Sequence, residues 1–346
     1  MKIAFASPIS VSRYAGCEKW IVGTANALKQ RGHDVSIYAT PYTPERNVDV
    51  NDVLSRGIDY HEAWRFNLED YDIVYMVYTP IVWRLFSTNN PKIAGFHYHL
   101  CLPSDIEKRV LENIPSALRH YDVISVLTYW SFKLLGKRDI QNFNAVHIPN
   151  NPFNVSLAHE RIFFVPNWID LNFYRPTKSK HDVFTILFVG RHDWEKGWWD
   201  YNAICRLLKK FNLDIRCIST GRGSSYVEGL GFLSDRELVD TYSSAHLLVY
   251  PSKSDMFGLV IVEAIACNTP VITTSIAAHK ALNLPLIYAD SVDEFVGKII
   301  SIYKLWSRDG EYEDMIRGLR EHVVKYDMNK IMPGFEDMLR QVATET

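Results

Sequence analysis

The feature that most constrains this chain is a recurring order of short apolar strand, loop and helix. It is set out at the start. Ile3–Ala6 is an apolar run of strand length, Ser7–Gly16 is a loop carrying Pro8 and Gly16, and the stretch that follows through His33 has helical spacing. Cys17, Trp20, Ile21, Thr24 and Leu28 recur every three or four residues and share one face. Gly32 stands where a helix C-cap belongs, and Val35–Ala39 reads as the next strand. Strand, helix, strand in that order is a βαβ unit, which requires parallel pairing. Ile73–Val77, Ile93–Phe96 and Val123–Leu127 extend the series as buried strands.

The second half repeats the pattern. Thr185–Val189 is a β-branched apolar strand, residues 198–211 are helical, and Asp214–Ile218 is a strand. Ser234 caps a helix through Ser244, with Glu237 completing a capping box, and His246–Tyr250 forms a strand that stops at Pro251. A helix opens at Gly258, and Pro270 starts the strand VITT. Between the halves, Pro166 and Pro176 bracket a non-helical stretch and Lys178–His181 is a polar break. A chain of 346 residues has room for two cores, so two α/β domains are expected, with the division here.

Composition removes several function classes. The net charge of −2 gives no global attraction to nucleic acid or anionic membrane, so no nucleic-acid partner is expected. Five cysteines, an odd number with no CxxC pair, indicate a reducing compartment and argue against structural zinc. The first strand begins directly after Lys2, so no signal peptide is expected, and no apolar run approaches ~18 residues. A cytoplasmic protein is expected, with peripheral attachment at the inner face of the membrane left open. Trp130–Arg138 mixes apolar and basic residues and could touch a membrane, but a helix with one packed face accounts for it too. Asp70 and Asp72 spell DxD at the mouth of a strand, a weak metal signal. His97 and His99 flank Tyr98 with no carboxylate or thiol nearby in sequence, so position matters more. His97 leaves a strand at its carboxyl end, where open α/β sheets bind ligands.

Two stretches carry the chemistry. Phe184–Trp199, FTILFVGRHDWEKGWW, is a strand ending at Gly190, a polar loop with Arg191 and Lys196, and a helix after Gly197. Backbone amides and the helix dipole favour an anion at such a turn, and the two cations would hold a diphosphate. The second, SDMFGLVIVEAIACNTPVI, places Asp255 before a helix that starts at Gly258 and Glu263 inside it. The unpaired amides of that helix start suit a phosphate or a cluster of sugar hydroxyls.

The second stretch resembles the E-x7-E signature of retaining GT-B glycosyltransferases of the family 4 type. GRHDWEKG resembles that family's Arg/Lys phosphate loop, VPNWID its interdomain segment, and AGCEKW followed by RGHDV its N-terminal pattern. The four motifs occur in the family's order over nearly the whole chain. The resemblance implies two Rossmann-like parallel-sheet domains facing across a cleft. Residues 1–172 would bind the acceptor, 173–328 would bind the nucleotide sugar, and a C-terminal helix within 329–346 would pack back on the first domain. It implies that Arg191 and Lys196 hold the donor diphosphate, with UDP or GDP as the carrier, and that Glu263 contacts the ribose. Asp255 would contact sugar hydroxyls, and the backbone around Phe257, Gly258 and Leu259 would meet sugar and phosphate beside Gly190. Gly16 would let the first-domain loop approach the donor, and His97 would sit beside the transferring sugar. No metal or other cofactor is implied. The acceptor would be a glycan, a lipid-linked sugar or a small molecule.

Four departures stand out. Asp255 replaces the first glutamate, Ala15 replaces one glycine of a pair, Trp168 replaces a glycine after Asn167, and the stretch after Thr274 lacks a Pro-Glu step. Two alternatives stay in view: a sugar-nucleotide 2-epimerase, which shares the fold and the donor, and a non-catalytic carbohydrate-binding relative, to which Asp255 and the altered loop after Thr274 give weight. A Rossmann oxidoreductase is disfavoured, because no complete GxGxxG follows the first strand.

Overall fold

The computed structural model describes residues 1–43, 45–80, 82–97, 135, 138–150, 159–308 and 310–344. The expected strand Val123–Leu127, His99, and Trp130–Arg138 apart from Leu135 and Arg138 lie outside the described residues. The described residues up to Trp168, with those from Asn329 onward, form one compact unit, and Ile169–Met328 form another.

The first unit contains β1 (Lys2–Ser7), α1 (Gly16–Gln30), β2 (Asp34–Ala39), α2 (Val50–Val53), β3 (Asp59–Glu62), β4 (Phe66–Asn67), β5 (Ile73–Val77), β6 (Phe86–Ser87), β7 (Lys92–Gly95), β8 (Ala145–Ile148) and β9 (Ile162–Phe164). Seven of these strands form one sheet in the order β3-β2-β1-β5-β7-β8-β9. Every pairing in it is parallel. β1, β5 and β8 are covered on both faces, which is why they read as unbroken apolar runs. The order runs outward to one side through β2 and β3, and to the other through β5 onward. The reversal between β1 and β5 is a topological switch point, where such sheets open a ligand crevice at the carboxyl ends. Gly16 follows β1, and His97 lies two residues beyond β7.

The second unit contains β10 (Phe184–Phe188), α3 (Trp198–Lys210), β11 (Ile215–Ser219), β12 (Glu228–Gly229), α4 (Asp235–Ser244), β13 (Leu247–Tyr250), α5 (Leu259–Ala266), β14 (Val271–Thr273), α6 (Ala277–Ala281), β15 (Ile287–Tyr288), α7 (Val292–Trp306) and α8 (Glu311–Ile316). Its parallel sheet has the order β12-β11-β10-β13-β14-β15, with the switch point between β10 and β13. Alternate residues of β10 serve two cores. Ile186 and Phe188 pack with Trp198 and Tyr201 of α3 and Phe295 of α7. Leu187 packs on the other face with Ile261 and Ile265 of α5 and Tyr242 of α4. Helices therefore cover both faces, and each unit is a Rossmann-like α/β fold.

The chain passes from the first unit to the second at Trp168–Ile169 and returns at Met328–Asn329. The first crossing precedes the expected boundary at 172, because Ile169 and Leu171 already belong to the core of the second unit. The two crossings run side by side: Ile169 N–H donates to Tyr326 O at 3.0 Å, and Met328 N–H to Ile169 O at 2.8 Å. α9 (Met328–Thr344) then packs within the first unit. Phe335 lies edge-on to Trp20, and Glu336 binds Arg31 Nε at 2.6 Å and His33 Nε2 at 3.0 Å. Trp168 also belongs to this packing. Its indole N–H donates to Thr24 Oγ1 at 3.1 Å, and its ring covers Gly23, where a Cβ would strike it. Asp72 accepts a hydrogen bond from the Lys2 N–H at 2.7 Å, so this member of the DxD pair ties down the start of β1.

Candidate active site

In the second unit, the two stretches singled out from the sequence meet across the switch point. The chain leaves β10 at Gly190, whose φ of +150° and Gly197's of +78° bracket the polar loop. A Cβ on Gly197 would fall on the Pro251 carbonyl, so only glycine lets this loop lie against the end of β13. The contact is fastened by Lys253 N–H donating to Glu195 O at 2.8 Å. The loop thus carries Lys196 over the segment that follows β13.

Lys196 Nζ donates to Ser254 O at 3.1 Å and lies 3.4 Å from Asp255 Oδ2 and 3.9 Å from Glu195 Oε1. Arg191 forks onto two carboxylates, Asp193 Oδ2 and Glu195 Oε2, each at 2.9 Å. Asp255 Oδ2 also accepts from the Tyr250 hydroxyl at 2.6 Å, and Oδ1 from the Met256 N–H at 3.0 Å. Burial alone would raise the Asp255 carboxyl. The Lys196 ammonium, His279 and the Tyr250 hydroxyl overcome that and hold it far below the usual carboxylate range. Asp193 goes the other way: burial raises it despite the Arg191 charge.

His279 completes the cluster. It is fully buried, with Nδ1 3.1 Å from the Thr274 carbonyl oxygen and 2.9 Å from Thr273 Oγ1. The Thr273 hydroxyl donates to Tyr250 O, so Nδ1 carries a proton that both oxygens accept. Its Nε2 lies 3.8 Å from Asp255 Oδ2, with no closer partner among the described residues. This histidine stands in the stretch where the family's Pro-Glu step is missing.

α5 starts next to this cluster. Its N-cap is Gly258 at φ +87°, which has no side chain to bond the first-turn amides. Phe257 turns its ring into the core against Tyr326, so it can offer only backbone to a ligand, and the partly buried Leu259 packs against the same core. Glu263, eight positions after Asp255, is buried and accepts from the Tyr242 hydroxyl at 2.9 Å. The structure therefore brings together Arg191, Lys196, Asp255 and Gly258, and sets Glu263 inside α5. Tyr250, Glu195 and His279 went unnoticed in the sequence. Tyr250 ends a strand and reads as core, and nothing local marks where His279 points.

The first unit holds a different cluster. Gly16 is exposed as the first residue of α1, with Ala15 as N-cap. His97 is half-buried beneath Trp20, their ring centroids 4.0 Å apart, and its Nε2 bonds the Tyr75 hydroxyl at 2.8 Å. Among the described residues, no group of three or more His, Cys, Asp or Glu could hold a metal ion, and no helix is long and apolar enough to cross a membrane.

A loop carrying Arg191 and Lys196 and an uncapped helix start meet at the switch point of a Rossmann-like sheet, which defines an α/β protein of the Rossmann-like class. The comparisons with known proteins give its kind. Residues 183–304 match the family model described as glycosyl transferases group 1. An uncharacterized glycosyltransferase of Methanocaldococcus jannaschii is 32% identical over 87% of this chain and 86% of its own. Among solved structures, sucrose-phosphate synthase from Thermosynechococcus elongatus superposes with a TM-score of 0.76 at 15% identity over all of both chains. HepE of Anabaena, in complex with UDP-glucose, does so with a TM-score of 0.72 at 14% identity over 99% of this chain and 100% of its own. These likenesses show a GT-B fold. The chain belongs to the group 1 glycosyltransferases and is a transferase.

Proposed function

We propose that this glycosyltransferase moves a sugar from a nucleoside-diphosphate donor, UDP- or GDP-linked, to an acceptor hydroxyl, with retention at the anomeric carbon and without a metal ion. The observation that carries the reading is the cluster of Arg191 and Lys196 beside the uncapped start of α5. As the glycosidic bond breaks, negative charge grows on the leaving diphosphate. Fixed cations and helix amides aimed at it stabilise the transition state more than the ground state. The carboxylates around Arg191 and Lys196 keep both cations in place before the ligand arrives, so little reorganisation is needed. An ammonium has three N–H donors, and Ser254 O and Asp255 Oδ2 engage two of them.

Asp255 would accept from donor-sugar hydroxyls through the open lone pair of Oδ1, and Glu263 would meet the ribose with its carboxylate. Gly190 keeps the phosphate loop close, and the first unit contributes Gly16 and His97. The reading assigns no carboxylate among the described residues as a nucleophile. Attack by the acceptor on the same face, with the departing diphosphate taking the acceptor proton, gives retention. The acceptor is a glycan, a lipid-linked sugar or a small molecule, and a lipid-linked one would require the protein to meet a membrane at its periphery. The likeness to a structure in complex with UDP-glucose supports the donor class.

A thermal-shift screen of UDP-, GDP-, ADP- and dTDP-sugars in EDTA tests the reading. A donor at ~100 times its dissociation constant adds ~2.7 kcal/mol of stability. One nucleotide class is expected to stabilise the protein, and NMR of the product to show the donor's anomeric configuration. Stabilisation that appears only with divalent metal, or an inverted product, refutes the corresponding part.

A further inference from the structure

Beside Asp255 lies a histidine to which the transfer chemistry gives no task. His279, on α6, is fully buried. Its ring packs under the start of α5, where a Cβ on Gly258 would come 3.5 Å from Cδ2, and against Tyr250, with ring centroids 5.7 Å apart. Two departures from the family pattern meet here: the shorter carboxylate at Asp255, and the stretch after Thr274 that lacks a Pro-Glu step and carries this histidine. All of these groups lie in the second unit.

What each atom can do places the protons. Nδ1 meets the Thr274 carbonyl at 3.1 Å and the Thr273 hydroxyl oxygen at 2.9 Å, and that hydroxyl has spent its own proton on Tyr250 O, so Nδ1 is protonated. Two states are then open to Nε2. Bare, it sets a lone pair against Asp255 Oδ2, 3.8 Å away, and two acceptors face each other in a place closed to solvent. Protonated, it gives the carboxylate a second cation beside Lys196, which lies 3.4 Å from the same oxygen. Against that proton stand the Lys196 ammonium and the positive end of α5. Lys196 is shared with Glu195 Oε1 at 3.9 Å, and a helix end carries only a partial charge. For the proton stands the full charge of a buried carboxylate. Burial raises Tyr250, which stays a phenol, and Lys280, the neighbour of His279 on α6, acts on Asp290. His279 is in turn among the groups that hold the Asp255 carboxyl down.

We propose that His279, protonated on both nitrogens, is a positioning residue for Asp255: it pairs with Oδ2 and, with Tyr250 and Lys196, fixes the short carboxylate so that Oδ1 alone addresses the donor sugar. A carboxylate held at one oxygen by a phenol, an ammonium and an imidazolium does not turn, so it offers a single oxygen in a single direction. The inference rests on the reading that Asp255 contacts the donor sugar, and it adds what holds an aspartate to that task in this chain.

The test is the histidine 15N–1H multiple-bond correlation spectrum of the full chain at pH 7. His279 is assigned by its loss in His279→Asn, or by through-bond connection to its backbone if that variant does not fold. Wild type is expected to show an imidazolium, with a proton on each nitrogen, and a neutral ring with a bare Nε2 overturns the proposal. In Asp255→Asn the ring is expected to turn neutral and keep its Nδ1 proton. An imidazolium that survives the loss of the carboxylate also overturns the proposal, because its second proton then does not depend on Asp255. Activity is the further arm. The amide of His279→Asn can take the place of Nδ1, and nothing takes that of Nε2. With UDP-glucose and GDP-mannose as first probes, kcat/KM for the responding sugar nucleotide should fall about tenfold, the loss of one hydrogen bond to a charged group. UDP and GDP without a sugar should bind within twofold of wild type. An unchanged kcat/KM, or an equal loss for nucleotide and sugar nucleotide, overturns the positioning role. If wild type turns over no sugar nucleotide, the transferase reading fails, while the two spectra still decide the pairing.

Discussion

Lys196→Ala tests two things at once, and they separate. The ammonium lies 3.4 Å from Asp255 Oδ2, with the two side chains 16% and 14% exposed. At an effective dielectric of ~20, that attraction is about 5 kcal/mol before any desolvation is counted. Removing the lysine also removes its own desolvation cost. Asp255 keeps the Tyr250 hydroxyl at 2.6 Å and the Met256 amide at 3.0 Å, so the net loss of folding stability should be about 2 kcal/mol. Adding Asp255→Asn takes away the charge left without its counter-ion. The double variant should therefore be more stable than Lys196→Ala alone, with a coupling of about 2 kcal/mol by denaturant titration. Activity behaves differently. A lost contact to the developing diphosphate charge lowers kcat by about 10²–10³, and Asp255→Asn cannot restore it. The sign with pH is also fixed. A carboxyl held below its ordinary 3.8 stabilises the fold above that value, and the stability is lost as pH falls toward the folded value. The gap between wild type and Lys196→Ala should therefore narrow below about pH 4. A kcat/KM within threefold of wild type refutes the diphosphate role, and a coupling under about 0.5 kcal/mol refutes the pairing.

Two other outcomes follow from the packing. Glu336, which fastens α9, is first raised by burial, but Arg340, Arg31 and His33 then bring it from 4.5 down to about 2. That is about 3 kcal/mol at face value, and about 1–2 after screening of the half-exposed arginines, present above pH 4.5 and lost as pH falls toward 2. Glu336→Gln should therefore flatten the acid limb of the stability curve, and an unchanged limb contradicts the assignment. Gly197→Ala should destabilise by about 2–4 kcal/mol and weaken nucleotide binding, since its Cβ meets the Pro251 carbonyl. Gly231→Ala, at φ +74° in open space, should cost only about 1 kcal/mol, and equal losses at the two sites would refute the steric argument.

What could be read from the sequence divides along physical lines. The central strands were legible because burial on both faces makes them continuous apolar runs, as Ile73–Val77 and Phe184–Phe188 show. The helix from Asp235 was legible because its cap is local: Ser234 N–H donates to Glu237 Oε2 at 2.8 Å. The edge strands β3, β12 and β15 were not, being two to four residues long and half-wet, with no pattern to recognise. The site shows the same division. Arg191, Lys196 and Asp255 announce themselves by type and spacing, but their partners depend on the sheet order. His279 reaches Asp255 only because β14 lies beside β13, and Tyr75 meets His147, 72 residues away, across β7. Trp168 read as a departure from the family, yet it fills the space over Gly23.

The two clusters differ in charge, and the difference matches the chemistry. The second unit gathers formal charges, Arg191 and Lys196 against Asp193, Glu195 and Asp255, around a place suited to an anion. The first unit sets His97 and His147 under Trp20 and Phe335, where burial suppresses charge. A leaving diphosphate needs fixed cations, since its charge grows during the reaction. A sugar is a neutral polyol and gains little from a cation, which would also attract phosphate.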